Sequence, residues 1–307
     1  MNVEHLSIVV THYETPQLLA DCLKQLSALA PEVPVTVVDT SLSNGALAVG
    51  AAFPRVDMLS AVNHSMANAV NLGLKRALRG SSPFILQMNA DVILSEHTLP
   101  TMVAALQRPG VGMVGPRCRT PTGTWQHQGV LYERYYALLQ LGMRAVPVSW
   151  LSGCCQMVSR EVVERVGGLD SSFRFYNEDI EWCWRVRAAG YRCELLRESV
   201  VHIGGASTPD SPLFLLEGLR GGYQLSRRYQ SPLYRELHRR AVAAYANLQI
   251  RLHRDSHTPY KQVKQMFERE LFAESPFGST LNETNVHFLP PEPPPPSGGA
   301  EFGGLET

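Results

Sequence analysis

The 307 residues carry 28 basic and 28 acidic side chains, so the formal net charge is zero. That balance gives no footing for a nucleic-acid partner, which calls for an excess of Lys and Arg, and directs attention to a small-molecule ligand. The length suits one α/β domain with a helical extension. No apolar run approaches the ~20 residues of a bilayer span, and the six cysteines form no C-x-x-C pair. Without a signal-peptide pattern at the start, these features predict a cytoplasmic protein with reduced, buried thiols.

In chain order, short β-branched runs alternate with helical periodicity, the pattern of a mostly parallel sheet covered by helices. LSIVVT, Leu6 to Thr11, reads as a buried strand. Pro16 opens a helix in which Leu18, Leu19, Cys22, Leu23 and Leu26 recur at helical spacing. The second strand is VTVVD, Val35 to Asp39; a loop rich in Ser, Asn and Gly follows, then a helix within Ser65 to Leu78. FILQM, Phe84 to Met88, is a third strand and ends in Asn89-Ala90-Asp91. Polar residues thus stand at three strand ends, where an open parallel sheet binds its ligand.

Further on, Trp150 to Val158 predicts a strand, Arg160 to Val166 a short helix, and Gly167-Gly168 a turn. Glu178 to Ala189 predicts a helix stopped by Gly190, and Cys193 to His202 a strand broken by Gly204-Gly205. Residues 212–272 read as helical. The stretch from 274 contains PPEPPPPSGG and is expected to be a disordered tail, having too little apolar surface to offset chain entropy.

Three positions can carry chemistry, and each has an ordinary alternative. Asp91, after a strand, can hold Mg²⁺ or Mn²⁺ together with substrate phosphates, or serve only as a turn residue. Asn177-Glu178-Asp179 opens a helix, where free amides and the dipole favour an ionised acid able to accept a hydroxyl proton; an N-cap followed by first-turn acids explains the same letters. His202, before two glycines, can ligate a divalent metal or simply hydrogen-bond at a strand end.

Their order, together with SIVVTHYETPQLLADCLKQL, VTVVDTSLSNG, NHSMANAVNLGLKRA, PFILQMNADVIL and the long block from WLSGCCQMVS to SVVHIGGAS, resembles the family 2 glycosyltransferases with the GT-A fold, over about residues 5 to 207. The resemblance implies an α/β catalytic domain over 1–210, a helical extension over 211–273 and the tail over 274–307. It also implies an inverting transfer of a sugar from a nucleoside-diphosphate donor to an acceptor hydroxyl, in polysaccharide or cell-surface glycan synthesis. By the same resemblance Thr11, His12, Glu14, Asp39, Asn63, Asn68, Asn71, Asn89 and Asp91 face the nucleotide sugar, and Gly153 and Trp182 lie on the acceptor side. Asp179 matches the catalytic base with Glu178 beside it, and Asp91 and His202 the ligands of Mg²⁺ or Mn²⁺.

Asn89 stands where a strict D-x-D motif has its first Asp, as in the rhamnosyltransferase-like subgroup, which makes a dTDP- or UDP-linked donor the expectation. Ser65 replaces a usual glycine, and residues 41–45 match the donor-base loop only loosely. The acceptor expected is a glycan, lipid-linked or otherwise, approached through peripheral contact of Arg227, Arg228, Arg239, Arg240, Arg251 and Arg254 with an anionic membrane. No glycine-rich basic loop follows the first strand, which disfavours a nucleotidyltransferase, and no G-x-G-x-x-G stands there for a nicotinamide enzyme. A nucleotide-sugar-binding or scaffold protein without turnover is the remaining alternative, and activity separates it.

Overall fold

The computed structural model describes residues 5–126, 138–205, 211–252 and 258–278. Strands β1 (Leu6–His12), β2 (Val35–Asp39), β3 (Val56–Ser60) and β4 (Phe84–Asn89) alternate with helices α1 (Pro16–Leu29), α2 (Gly45–Gly50) and α3 (Met66–Ala77). Next come β5 (Val92–Ile93), α4 (Thr98–Leu106), β6 (Val111–Arg119), β7 (Ala145–Val148), β8 (Cys155–Ser159), α5 (Arg160–Val166), α6 (Glu178–Ala188) and β9 (Arg192–His202). Three helices close the described chain: α7 (Pro212–Tyr229), α8 (Pro232–Leu252) and α9 (Thr258–Glu268).

All strands join one sheet in the order β3-β2-β1-β4-β8-β6-β9-β5, with β7 also paired to β9. The expectation of a parallel sheet holds for β1 to β4 and for β6 beside β9, whereas β8 runs antiparallel between β4 and β6. β1 and β2 are buried along their whole length because helices cover both faces, which is why their residues are apolar without alternation. One face carries Leu19, Leu23 and Leu26 of α1, and the other Val70 and Leu74 of α3. α3 lies so close to β1 that a Cβ on Gly73 would stand 2.1 Å from Val9 Cγ1.

Two expectations need correction, and the expected helical stretch is borne out in finer detail. The strand predicted from Trp150 begins only at Cys155, since Ser152–Cys154 turn to bring Gly153 beside Asp179. The helical stretch after Pro212 is three helices; Gln230 is extended, and Pro232, which lacks an N–H, opens the next helix. The packed chain runs past 274: Ser275 is buried and donates to Glu217, and Phe277 packs against Phe175 and Phe214. The rest of the expected tail, 279–307, lies outside the described residues.

The extension has its own small core of Leu216, Tyr223, Ala246, Val263, Phe267 and Phe272. It is tied to the sheet domain by polar contacts. Arg228 pairs with Asp170, Tyr229 donates to Glu181 at 2.7 Å, and Asn177 donates to the Gly218 carbonyl at 3.0 Å. Buried Glu217 accepts from Arg220, Ser275 and the Arg174 backbone N–H, so its charge is compensated on three sides.

Candidate active site

A cleft of about 530 Å³ opens at the C-terminal ends of β1, β2, β4 and β9, the place where a parallel sheet presents unpaired strand ends. Its walls include Thr11, His12, Thr40, Asn63, Asn89, Asp91, Glu178 and His202, so residues far apart in sequence meet there. Phe175, Tyr176, Leu213, Phe214 and Phe277 line it too, giving an aromatic side shared between the turn before α6 and the C-terminal segment.

Asp91 and His202 are brought together by backbone pairing. β5 runs antiparallel to β9 with Val92 opposite His202, and the Ile203 N–H donates to the Asp91 carbonyl at 3.1 Å. Asp91 Oδ1 then lies 3.5 Å from His202 Nε2, while Oδ2 accepts the Gly204 N–H at 3.0 Å. Gln126, which sequence reading passed over, grips His202 twice. Its Oε1 lies 2.8 Å from Nδ1, and its Nε2 donates to the His202 carbonyl at 2.7 Å. With Nδ1–H directed at Gln126, Nε2 is the nitrogen turned to Asp91.

Burial opposes ionisation at both members of this pair, and each overcomes it through the other. The Asp91 carboxyl ends below its ordinary range because His202 bonds to it, and the imidazole is raised to about 10 by Asp91 and by the Cys154 thiol. Two ligand atoms on one octahedral Mg²⁺ or Mn²⁺ stand about 3 Å apart when bonds are ~2.1 Å long. The 3.5 Å between Oδ1 and Nε2 would let both groups hold one such cation, which would take the place of the Nε2 proton. Among the described residues no group of three or more His, Cys, Asp or Glu is arranged to hold a metal ion.

The acids opening α6 sit on strained backbone. Tyr176 and Asn177 both have positive φ, 67° and 71°, a left-handed conformation that asparagine tolerates and that costs a residue such as Tyr176 about 1–2 kcal/mol. Asn177 occupies the N-cap position but makes no side-chain cap; its amide goes to Gly218 of α7 instead. A Cβ on Gly221 would lie 2.6 Å from Asn177 Nδ2, so α7 approaches this turn through a glycine. The extension therefore holds the turn that aims the acids.

The two carboxylates differ. Glu178 is 7% exposed, lines the cleft, and has Oε2 without a hydrogen-bond partner. Asp179 keeps partial exposure but, like Gly153, is not on the cleft wall; it lies next to Glu178, and its oxygens accept the Gly153 N–H at 2.8 Å and the Ile180 N–H at 2.9 Å. Burial raises both: Glu178 to about 8, with the Asp179 charge adding to the effect, and Asp179 to about 6, where the two backbone donors hold it down. Gly153 fits closely, since a Cβ there would meet Asp179 Cβ at 3.2 Å and Oδ2 at 3.3 Å.

The remaining expected site residues divide. Thr11 donates to Asn89 Oδ1 at 3.1 Å across the β1–β4 pair. His12 is fixed at both nitrogens, Nδ1 lying 2.9 Å from Asp39 and Nε2 accepting the Thr15 N–H at 3.0 Å, so Asp39 sits behind His12 and not on the cleft wall. Glu14 is turned to the loop after β2, where it accepts from the backbone of Leu42 and Ser43 and from the Ser43 hydroxyl.

Asn71 is not a cleft residue. It is fully buried, and its amide exchanges two 2.8 Å bonds with the Leu169 backbone, clamping α3 to the turn after α5. Asn68, one turn earlier, is 3% exposed and also lies outside the cleft wall. Trp182 does not face an acceptor. It is wholly buried in the core, its indole N–H bonded to the Gly167 carbonyl at 2.9 Å, because a helix starting at Glu178 points its fifth residue back at the sheet. Of the arginines expected to form a cationic face, three are paired with acids: Arg228 with Asp170, and Arg239 and Arg240 with Glu236. Arg254 lies outside the described residues.

A mostly parallel sheet with an acid and a histidine at its ligand-binding edge, and a carboxylate-opened helix across the cleft, defines a GT-A fold. The architecture is shared with the mannosyltransferase PcManGT from Pyrobaculum calidifontis, solved in complex with GDP-Man and Mn²⁺, at TM-score 0.54 and 17% identity over 87% of this chain and 85% of that one. Residues 4–254 match the family described as glycosyltransferase like family 2, and the chain belongs to that family. Its curated relatives include the low-salt glycan biosynthesis hexosyltransferase Agl10 of Haloferax volcanii, 25% identical over 195 residues, covering 60% of this chain and 62% of that protein. Another is the N-acetylglucosaminyl-diphospho-decaprenol L-rhamnosyltransferase of Mycobacterium tuberculosis, 26% identical over 223 residues, covering 61% and 71%. The chain spans 16% and 62% of the first two curated relatives it matches. No helix among the described residues is long and apolar enough to cross a membrane.

Proposed function

We propose that this protein transfers a sugar from a nucleoside-diphosphate donor to an acceptor hydroxyl, inverting the anomeric carbon in one displacement. The observation that carries the reading is the Asp91–His202 pair, 3.5 Å apart, at one end of a cleft whose other wall presents Glu178. Thr11, Asn89 and Thr40 line the strand-end side, where the nucleotide would lie. Asp91 and His202 would hold Mg²⁺ or Mn²⁺, which offsets the charge gathering on the departing diphosphate. Gln126 keeps the His202 ring oriented, a support that metal-binding histidines usually have.

Asp179 is the base. Two backbone N–H groups favour its ionised form, and a group titrating near 6 is largely deprotonated at neutral pH while remaining basic enough to take a hydroxyl proton. Glu178, beside an ionised neighbour and buried, keeps its proton, and its free Oε2 can donate to a sugar oxygen. The aromatic wall of Phe175, Tyr176 and Phe214 suits the apolar face of a pyranose, which supports a reading with the acceptor on the extension side.

The donor is dTDP-rhamnose or a UDP-hexose, and the acceptor a lipid-linked glycan in cell-surface polysaccharide synthesis. The name of the mycobacterial relative supports this choice, and the mannosyltransferase solved in complex with GDP-Man and Mn²⁺ supports the metal. The test is thermal stabilisation by UDP, dTDP and GDP with and without Mn²⁺. One nucleotide should raise the Tm in a Mn²⁺-dependent way, and Asp91→Ala should lose that dependence. Equal shifts with and without Mn²⁺ in both proteins would remove the metal from the reading.

A further inference from the structure

The longest helix of the extension, α8, buries only Ala246 completely and leaves its opposite face to solvent. On that face Leu233 is 71% exposed, Leu237 58%, Leu248 52% and Leu252 64%, with exposed Ala241 and Ala244 between them. Such a stripe is too regular for scattered surface leucines. Tyr234, Leu237, Ala241, Ala244, Leu248 and Arg251 follow one another at intervals of three and four, the a/d spacing of a helix–helix seam.

Apart from Tyr234 and Arg251 at its ends, the order of side chains reads the same in both directions. Laid antiparallel against a copy of itself about a two-fold axis between Val242 and Ala243, the helix sets Leu237 beside the second copy's Leu248, and Ala241 beside its Ala244. Leu233 and Leu252 close the ends in the same way. Small residues at the centre let the two backbones approach, and leucines fill the wider spaces on either side. Charge is compatible as well: no acid lies on the a/d seam, and each Arg251 falls beside the second copy's Tyr234, where a guanidinium can rest on a ring. A closed two-fold interface requires a surface complementary to itself, and this stripe has that property.

We propose that the exposed face of α8 is the contact through which two copies of this chain form an antiparallel homodimer. One helix pair lies near the ~1,200 Å² lower end of stable interfaces, so the dimer should dissociate on dilution.

Sedimentation velocity of the full chain over a concentration series tests this. The expected result is a species of twice the 34.0 kDa chain mass that gives way to monomer on dilution, and a monomeric Leu237→Glu/Leu248→Glu variant with unchanged nucleotide-dependent stabilisation. Register is read by mixing a tagged Ala241→Cys variant with an untagged Ala244→Cys variant under mild oxidation. The mixed disulfide should form far faster than either homodimeric one, and this arm stands even where the glutamate variant fails to fold. A parent that stays monomeric at every concentration overturns the proposal, as does a dimer untouched by the glutamates or cross-linking without preference. Binding of a monomeric parent to phosphatidylglycerol vesicles, abolished by the glutamates, would assign the face to a membrane and also overturn it.

Discussion

Replacing Gln126 with Ala removes both bonds that fix His202, the 2.8 Å contact at Nδ1 and the 2.7 Å bond to its carbonyl, without touching any residue proposed to meet the donor's phosphates. The ring is then free to turn, and Nε2 no longer stays directed at Asp91. Loss of such a support typically lowers metal affinity 10- to 100-fold, equivalent to about 1.4–2.8 kcal/mol, which agrees with two hydrogen bonds of about 1 kcal/mol each. Free Mn²⁺ counted by electron paramagnetic resonance, in the presence of the stabilising nucleotide, reads this loss without reference to turnover. Gln126→Glu keeps an acceptor for Nδ1–H while losing the donor to the carbonyl, so it should recover part of the affinity. An unchanged Mn²⁺ titration in Gln126→Ala would refute the view that Gln126 orients a metal ligand.

Other outcomes follow from the same geometry. Gly153→Ala sets a methyl 3.3 Å from Asp179 Oδ2, so kcat should fall roughly tenfold while nucleotide-dependent stabilisation is kept; parallel losses in both would show that the loop had collapsed. Because Asp179 must be ionised to act and titrates near 6, kcat/KM should decline as pH falls through about 6, and a flat profile down to pH 5 would exclude it as base. Glu178 has a folded-state pKa raised from 4.5 to about 8, so the stability it contributes is full below 4.5 and is lost as pH rises toward 8. Glu178→Gln should therefore flatten the fall in Tm across that window. Asn71→Ala leaves the buried Leu169 N–H and C=O unpaired and should destabilise the fold by about 2–4 kcal/mol, with nucleotide stabilisation intact in the folded fraction.

What the sequence disclosed and what it hid have physical causes. β1, β2 and β4 are legible because strands buried on both faces are continuous apolar runs, and their polar terminal residues mark the cleft in advance. β6 was not predicted, since Gly112, Gly115 and Pro116 interrupt its pattern although the strand lies within the sheet. Asn71 and Trp182 carry polar atoms in stretches that resemble site motifs, yet both satisfy backbone groups inside the core. Nothing local distinguishes that use from ligand contact. Gln126 was missed for the opposite reason: its role exists only through pairing with a strand end 76 residues away. The aromatic wall likewise needs Phe214 and Phe277 to fold back on Phe175, a contact that no local pattern announces.

Slow release of nucleoside diphosphate from the sugar nucleotide identified by thermal shift, measured with Mn²⁺ and no acceptor and then with a glycan acceptor, bears most directly on the proposed chemistry. The account predicts turnover in the parent that the acceptor accelerates, and an Asp179→Asn variant that binds the nucleotide equally well yet transfers at least about 10²-fold more slowly. Tight nucleotide binding with no release in the parent, or transfer by Asp179→Asn at the parent's rate, would contradict it.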